Sequence, residues 1–105
     1  MTMFQINEKD YELKFNMKRV ELMEQRLGEG GVPRALLASD GMLSIAQCKT
    51  FFAFGLKEAG SDTFLAPAKA TELFEQYLEE KGFTEAISRI YEEAQASLGF
   101  LFRVG

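Results

Sequence analysis

The chain has 105 residues and a formal net charge of −4, with ten Phe, one Cys and no His or Trp. This length gives one small domain with a single core. The absence of imidazole excludes Ser-His and Cys-His nucleophile pairs and almost every zinc site, so we expect no enzyme activity, no metal and no cofactor.

The first predicted element lies at the start of the chain, where the sequence also shows no targeting signal. Phe4–Ile6 and Tyr11–Phe15 alternate apolar and polar residues around the polar segment 7–10, which is read as a turn. This pattern predicts a β-hairpin over about 3–15 that packs on helices, because an isolated hairpin is marginally stable. The N-terminus has no signal-peptide pattern, and no stretch approaches the roughly 20 apolar residues of a membrane helix.

Five helices and an apolar tail follow the hairpin. Asn16 is a predicted N-cap, Ser44 with Gln47 forms a capping box, and Pro67 suits the first turn of a helix. With apolar spacing and Gly stops, these signals place helices at about 16–27, 33–39, 44–59, 67–81 and 84–98, with a tail over 99–105. The predicted fold is α+β, mainly α, in one domain spanning 1–105.

No segment carries a catalytic or ligand-binding signature. The adjacent Glu pairs at 79–80 and 92–93 diverge by about 100° on a helix, so they do not face each other. The Gly-rich segment 28–31 follows a helix and lacks the Lys-Ser/Thr of a phosphate loop, and 40–41 lacks the other ligands of a calcium loop. Cys48 is expected to be a small buried hydrophobe, which together with the missing disulfide partner indicates a cytoplasmic protein.

Two apolar features exceed the expected needs of the core. The third helix carries apolar residues on several sides, so it is either wholly internal or shared with a partner. The tail either folds back on the core or engages another chain. The predicted partner-binding residues are Phe51, Phe54, Phe100, Leu101 and Phe102.

The charge distribution argues against nucleic acid as a partner. Met1 to Lys57 carries eight basic and seven acidic residues, while Glu58 to Gly105 carries four and nine. The acidic half is either a set of solvated helix faces or a surface that attracts a basic one. A DNA-binding regulator remains the weakest alternative, because Lys18, Arg19 and Arg26 are interspersed with Glu on the most basic helix.

Three segments carry a family resemblance: Tyr11–Glu24, Gly41–Ser44 and Thr50–Glu58. They resemble the tail assembly chaperones of long-tailed, siphovirus-like bacteriophages and prophages of Gram-positive bacteria. The resemblance implies a non-enzymatic homo-oligomer that binds and solubilises the tape measure protein and helps recruit tail tube protein. It also implies action in the host cytoplasm and absence from the mature virion. The alternative is a small structural phage adaptor, either a head-tail joining protein or a tail component.

Overall fold

Within the described residues, eight elements form one domain. The structure, a computed structural model, describes residues 3–28, 30–38 and 42–99. In chain order the elements are β1 (Met3–Ile6), β2 (Lys9–Leu13), α1 (Met17–Leu27), α2 (Gly31–Ala38), α3 (Ile45–Gly55), β3 (Leu56–Glu58), α4 (Pro67–Lys81) and α5 (Phe83–Leu98). The predicted α+β, mainly α fold is confirmed.

The hairpin is tighter than the sequence indicated. Asn7 and Glu8 alone form its turn, with φ values of 53° and 65°. Two positive φ values in a two-residue loop match the right-handed twist of the flanking strands. Lys9 and Asp10, which the sequence pattern assigned to the turn, belong to β2 and pair with β1.

The local signals for three of the five predicted helix starts are confirmed, while α2 and α5 begin at Gly31 and Phe83 rather than at 33 and 84. The Asn16 side chain accepts a hydrogen bond from the Arg19 amide at 2.9 Å. Ser44 and Gln47 make both bonds of the capping box, and α4 has its Pro in the first turn and ends where predicted. These helix starts are set by neighbours in sequence, which is why the sequence alone locates them.

A third strand replaces the predicted end of the third helix. The helix predicted to continue to residue 59 ends at Gly55, and Leu56–Glu58 pairs antiparallel with β2. The Leu56 amide still donates to the Phe52 carbonyl, while its own φ and ψ of −82° and 135° are already extended. The hairpin therefore becomes a three-stranded sheet with the order β1-β2-β3.

A largely buried ion pair joins β2 to β3 in this sheet. Lys57 Nζ lies 3.1 Å from Glu12 Oε1, and the two side chains are 11% and 6% exposed. The same ammonium donates to the Ser61 carbonyl at 2.5 Å. The ion pair and the hydrogen bond offset the free-energy cost of removing both charges from water.

Helix α3 lies at the centre of the molecule. Its buried residues are Cys48, Phe51, Phe52, Ala53, Phe54 and Gly55. The Phe52 ring centroid lies 5.0 Å from that of Phe74 and 5.7 Å from that of Tyr77, both on α4. The aromatic part of this helix is therefore internal, whereas its first residue, Ile45, is 55% exposed.

Candidate functional site

The two ring residues predicted on α3 are part of the core. Phe51 is completely buried and Phe54 is 8% exposed. The Phe51 ring centroid lies 5.6 Å from that of Phe15, and the Arg26 guanidinium lies 5.2 Å from the Phe54 centroid. The prediction that these two rings are available at the surface is wrong, because α1 and the chain after β2 cover the sides of α3 that face away from α4.

The other three predicted partner-binding residues follow the last described residue. Phe100, Leu101 and Phe102 lie outside the described part of the chain, so their role in partner binding stays a prediction. The described chain reaches Gly99 at the end of α5, where φ and ψ are −52° and −32°.

The exposed apolar surface lies elsewhere. Among the described residues, the large apolar side chains that are at least half exposed are Met42 (66%), Leu37 (65%), Met3 (59%), Ile45 (55%) and Met17 (50%). Three of these five occur between positions 37 and 45, at the end of α2 and the start of α3. We call Leu37, Met42 and Ile45 the exposed apolar set.

Helix geometry explains why Leu37 is exposed. Leu36 and Ala35 are buried, whereas Leu37 follows one residue later on the helix. Successive residues on an α-helix point about 100° apart, so the residue next to a buried position turns toward solvent. The sequence carries this signal, because α2 has more adjacent apolar residues than one helix face can bury.

An apolar pocket opens beside Leu37, between α2 and α5. Its volume is about 300 Å³, and it is lined by Leu36, Leu37, Tyr91, Ala94, Gln95 and Gly99. The Tyr91 hydroxyl donates to the Leu36 carbonyl at 2.7 Å, which ties α5 to α2 at one wall. The volume is at the lower end of the range of ligand pockets. We call this cavity the α2–α5 pocket.

A larger depression at the hairpin turn is polar. It has a volume of about 490 Å³ and is lined by Gln5, Asn7, Glu8, Glu80 and Lys81. The described residues that line it carry charged groups and amides rather than apolar side chains. It resembles an ordinary solvated boundary between a turn and a helix end more than a binding site.

The polar cluster next to this depression holds elements together. Arg89 Nε donates to the Tyr77 hydroxyl at 3.2 Å, and Arg89 Nη2 lies 3.2 Å from Glu85 Oε1. The same guanidinium lies 5.4 Å from the Phe4 ring centroid. Burial raises the pKa of Tyr77 above its usual value, so this hydroxyl stays protonated near neutral pH. The cluster fixes α5 to α4 and β1.

Two basic side chains of α1 are engaged within the domain. Arg19 Nε donates to the Phe54 carbonyl at 2.6 Å, and the Arg19 guanidinium lies 4.1 Å from the Phe64 ring centroid. Burial lowers the pKa of Arg19 from its usual value. With Arg26 over Phe54, two of the three cations considered for DNA recognition have structural contacts instead.

Two further kinds of feature are absent from the described residues. Within 3–28, 30–38 and 42–99, no three His, Cys, Asp or Glu side chains come together as a metal site requires. In the same ranges, no helix has both the length and the apolar character needed to cross a membrane. The α2–α5 pocket and the exposed apolar set are thus the features best suited to binding another molecule.

Comparisons of this chain with protein-family models, with curated proteins and with solved structures give no significant match.

Proposed function

We propose that this chain is a tail assembly chaperone of a long-tailed phage or prophage. In this proposal it is a non-enzymatic, self-associating factor that binds and solubilises the tape measure protein and helps recruit tail tube protein. It acts in the host cytoplasm and is not part of the mature virion. The proposal combines the sequence resemblance with the surface chemistry of the domain.

The observation that carries the proposal is Leu37, an exposed apolar residue in the wall of an apolar pocket, together with two exposed apolar residues close to it in sequence. Leu37 is 65% exposed and also forms part of the pocket wall. Met42 and Ile45 follow closely in sequence and are also more than half exposed. Exposed apolar groups of this kind suit a helical client, which offers apolar side chains at i, i+3 and i+4.

The size of this surface suits reversible binding. The pocket of about 300 Å³ and the three exposed side chains offer little apolar surface, and small interfaces are typical of transient complexes. A chaperone must release its client, and several copies on one long client would increase overall avidity without making each contact permanent.

The charge of the second half is compatible with this role. The α4 residues Glu72, Glu75, Glu79 and Glu80 are all exposed. A net charge well away from zero opposes aggregation of the complex once apolar client segments are bound.

The direct test is co-expression with the tape measure protein from the same genome. We expect the wild-type chain to keep that protein in the soluble fraction, and the double variant Leu37→Asp, Ile45→Asp to lose most of this effect. Met17→Asp is the matched control, since Met17 is half exposed but lies at the start of α1. Full solubilisation by the double variant, with native circular dichroism, would contradict the proposal.

Purified virions distinguish a chaperone from a structural adaptor. We expect mass spectrometry of mature particles to detect the tail tube protein but not this chain. Recovery of this chain at a fixed stoichiometry in washed particles would overturn the chaperone proposal and favour the adaptor.

A further inference from the structure

The two edges of the sheet differ in what covers them. On the outer side of β3, the Leu65 amide donates to the Leu56 carbonyl at 3.1 Å. Lys57 of the same strand forms an antiparallel bridge with Phe64. At the other edge lies β1, which pairs with β2 alone, and among the described residues no backbone group outside the hairpin bonds to it. The described fold therefore covers one edge and leaves the other open.

The hydrogen bonds between β2 and the chain around β3 show which way the backbone of each residue in β2 points. The Asp10 carbonyl accepts from the Ala59 amide at 3.1 Å. The Lys14 amide donates to the Gly55 carbonyl at 2.8 Å. Because successive residues of an antiparallel strand direct their N–H and C=O groups to opposite neighbours, the even-numbered residues of β2 bond toward β3. The odd-numbered ones bond toward β1.

Two residues of β1 have backbone groups that point away from the sheet. Tyr11 pairs with Phe4, so the N–H and C=O groups of Phe4 are used within the hairpin. Met3 and Gln5 lie on either side of Phe4, and their backbone groups point away from β2. Each of these two residues has one donor and one acceptor, so together they offer four backbone groups to an added strand.

The sequence of β1 carries none of the features that usually prevent pairing at a sheet edge. Such edges are typically blocked by Pro, by a charged side chain such as Lys, or by a bulge. The strand reads Met-Phe-Gln-Ile and pairs with β2 in an uninterrupted register. The side chains of Met3 and Gln5 are exposed and uncharged. The strand itself therefore presents no electrostatic or steric obstacle to a further strand.

A depression beside this edge selects one side chain of an added strand. It has a volume of about 330 Å³ and lies between β1 and the ends of α4 and α5 that face it. We call it the β1–α4 depression. Its charged lining residues are Lys81, Glu85 and Arg89. Glu85 and Arg89 form an ion pair at 3.2 Å, whereas no ion pair among the described residues includes Lys81. The lining thus has one uncompensated positive charge, which favours a carboxylate.

The pleat of the sheet directs a side chain of the added strand into this depression. The Phe4 ring faces the helices, with its centroid 5.0 Å from that of Tyr77 on α4. Residues directly opposite each other on neighbouring strands share a face of the sheet. The residue opposite Phe4 on an added strand would therefore also point toward α4, into the depression that Phe4 helps to line.

We propose that β1 binds an extended segment of another protein as a fourth strand of the sheet, with an acidic side chain of that segment in the β1–α4 depression. Main-chain hydrogen bonds supply affinity in such strand addition, and the pocket for an alternate side chain supplies specificity. A second copy of β1 matches this site poorly, since Met3–Ile6 contains no acidic residue. The site is separate from Leu37 and does not depend on the helical client of the proposed function.

The first test is an NMR titration of the isotope-labelled chain with two synthetic peptides. The probe is acetyl-Ser-Val-Glu-Val-Ser-amide, and its control has Lys in place of Glu. We expect saturable downfield shifts of the Met3 and Gln5 amides with the probe, and smaller shifts of the Phe4 amide, which already bonds to β2. The control peptide should bind at least about fivefold more weakly. No saturable shift of the Met3 and Gln5 amides at up to about 5 mM probe would overturn the proposal.

Two substitutions of Gln5 separate its backbone from its side chain. Pro is tolerated in an edge strand where its missing N–H would face solvent, so Gln5→Pro removes an outward donor. Gln5→Ala is the matched control, because it removes the side chain and keeps the donor. We expect Gln5→Pro, with native circular dichroism, to weaken probe binding at least about fivefold, and Gln5→Ala to bind like wild type. Equal binding by the two variants would contradict strand addition.

Charge reversal on α4 tests the choice of an acidic side chain. Lys81→Glu should weaken binding of the Glu probe and strengthen binding of the Lys control peptide. Lys69→Glu makes the same change at an exposed position of α4 that does not line the depression, and it should leave both affinities unchanged. An unchanged preference for the Glu probe in Lys81→Glu would exclude the β1–α4 depression as the site of the acidic group.

Hydrogen exchange in the peptide-free chain tests whether the edge is open. We expect the Met3 and Gln5 amides to exchange much faster than the Phe4 amide, and to become protected when the probe is added. Protection of all three amides without the probe would overturn the proposal: if it increased with protein concentration, a second copy would cover β1, and if not, the chain itself would. These measurements use only the purified chain and peptides, so their failure leaves the client-solubilisation test unaffected.

Discussion

Cys48 illustrates how position in the core determines the chemistry of a single residue. Its side chain is fully buried on α3, and burial raises the pKa of its thiol to about 11 from an ordinary value of 9.0. The thiolate is the reactive form of cysteine, and it is scarce at neutral pH when the pKa is this high. The residue therefore acts as a small apolar group, as the sequence indicated.

Alkaline pH should destabilise the protein through this thiol. Between about pH 9 and pH 11 the unfolded chain has lost the Cys48 proton while the folded chain keeps it, so the free energy of unfolding falls as pH rises. The stabilisation is fully present below this window. We expect urea unfolding to show a steeper loss in wild type than in Cys48→Ala.

Tyr77 does not obscure that comparison. Burial also raises its pKa, but it contributes equally to wild type and to Cys48→Ala, so it cancels in the difference between the two slopes. Equal slopes in the two proteins would contradict the assignment of this pH dependence to Cys48.

At the scale of elements, the buried pair between β2 and β3 should contribute strongly to sheet pairing. Replacing Glu12 by Gln leaves the Lys57 ammonium, which is 11% exposed, without its counter-charge. We expect a loss of about 3 kcal/mol in the free energy of unfolding, measured by urea titration.

Two further variants test the cause of that loss. The double variant Glu12→Leu, Lys57→Met removes both charges, so it should recover most of the stability. Lys9→Ala breaks the pair between Lys9 and Glu58, which are 56% and 43% exposed, and should change stability little. If Glu12→Gln changed the free energy of unfolding as little as Lys9→Ala does, burial of the Glu12–Lys57 pair would be unimportant.

The elements that the sequence predicted well are those with local signals. Asn16, Ser44 and Pro67 each act on their own helix end, so the chain nearby suffices to identify them. The strand Leu56–Glu58 has no such signal, because only pairing with β2 makes three residues a strand.

The candidate site was harder to predict for the same reason. A helical pattern shows that Phe51 and Phe54 point in different directions, but not that other elements cover both directions. The exposure of Leu37 likewise depends on which face of α2 meets the core. The number of Phe residues predicted more rings than the core needs, but among the described residues the large apolar side chains that are at least half exposed are Leu, Ile and Met.

At the scale of the whole molecule, α3 connects the layers into one cooperative unit. It packs against α1, α4 and α5 and continues into β3. Without α3, the remaining elements would have no complete core to pack on. Small domains built this way usually unfold in a single transition.

We therefore expect two-state unfolding in urea. Tyr11, Tyr77 and Tyr91 lie on β2, α4 and α5, so tyrosine fluorescence samples three parts of the fold, without interference from Trp. Its midpoint should coincide with that of far-ultraviolet circular dichroism, which reports the helices. Separate midpoints would mean that the sheet or α5 unfolds independently of α3.

The direct passage from α3 into β3 has a mechanical consequence. No loop separates Gly55 from Leu56, and the Lys14 amide donates to the Gly55 carbonyl at 2.8 Å. We therefore expect helix and strand to move together, with the helix spanning about 15 Å from Ile45 to Gly55. A force applied by a bound partner at the exposed Ile45 end is transmitted along the helix axis to the strand pairing, with no hinge in between to absorb it.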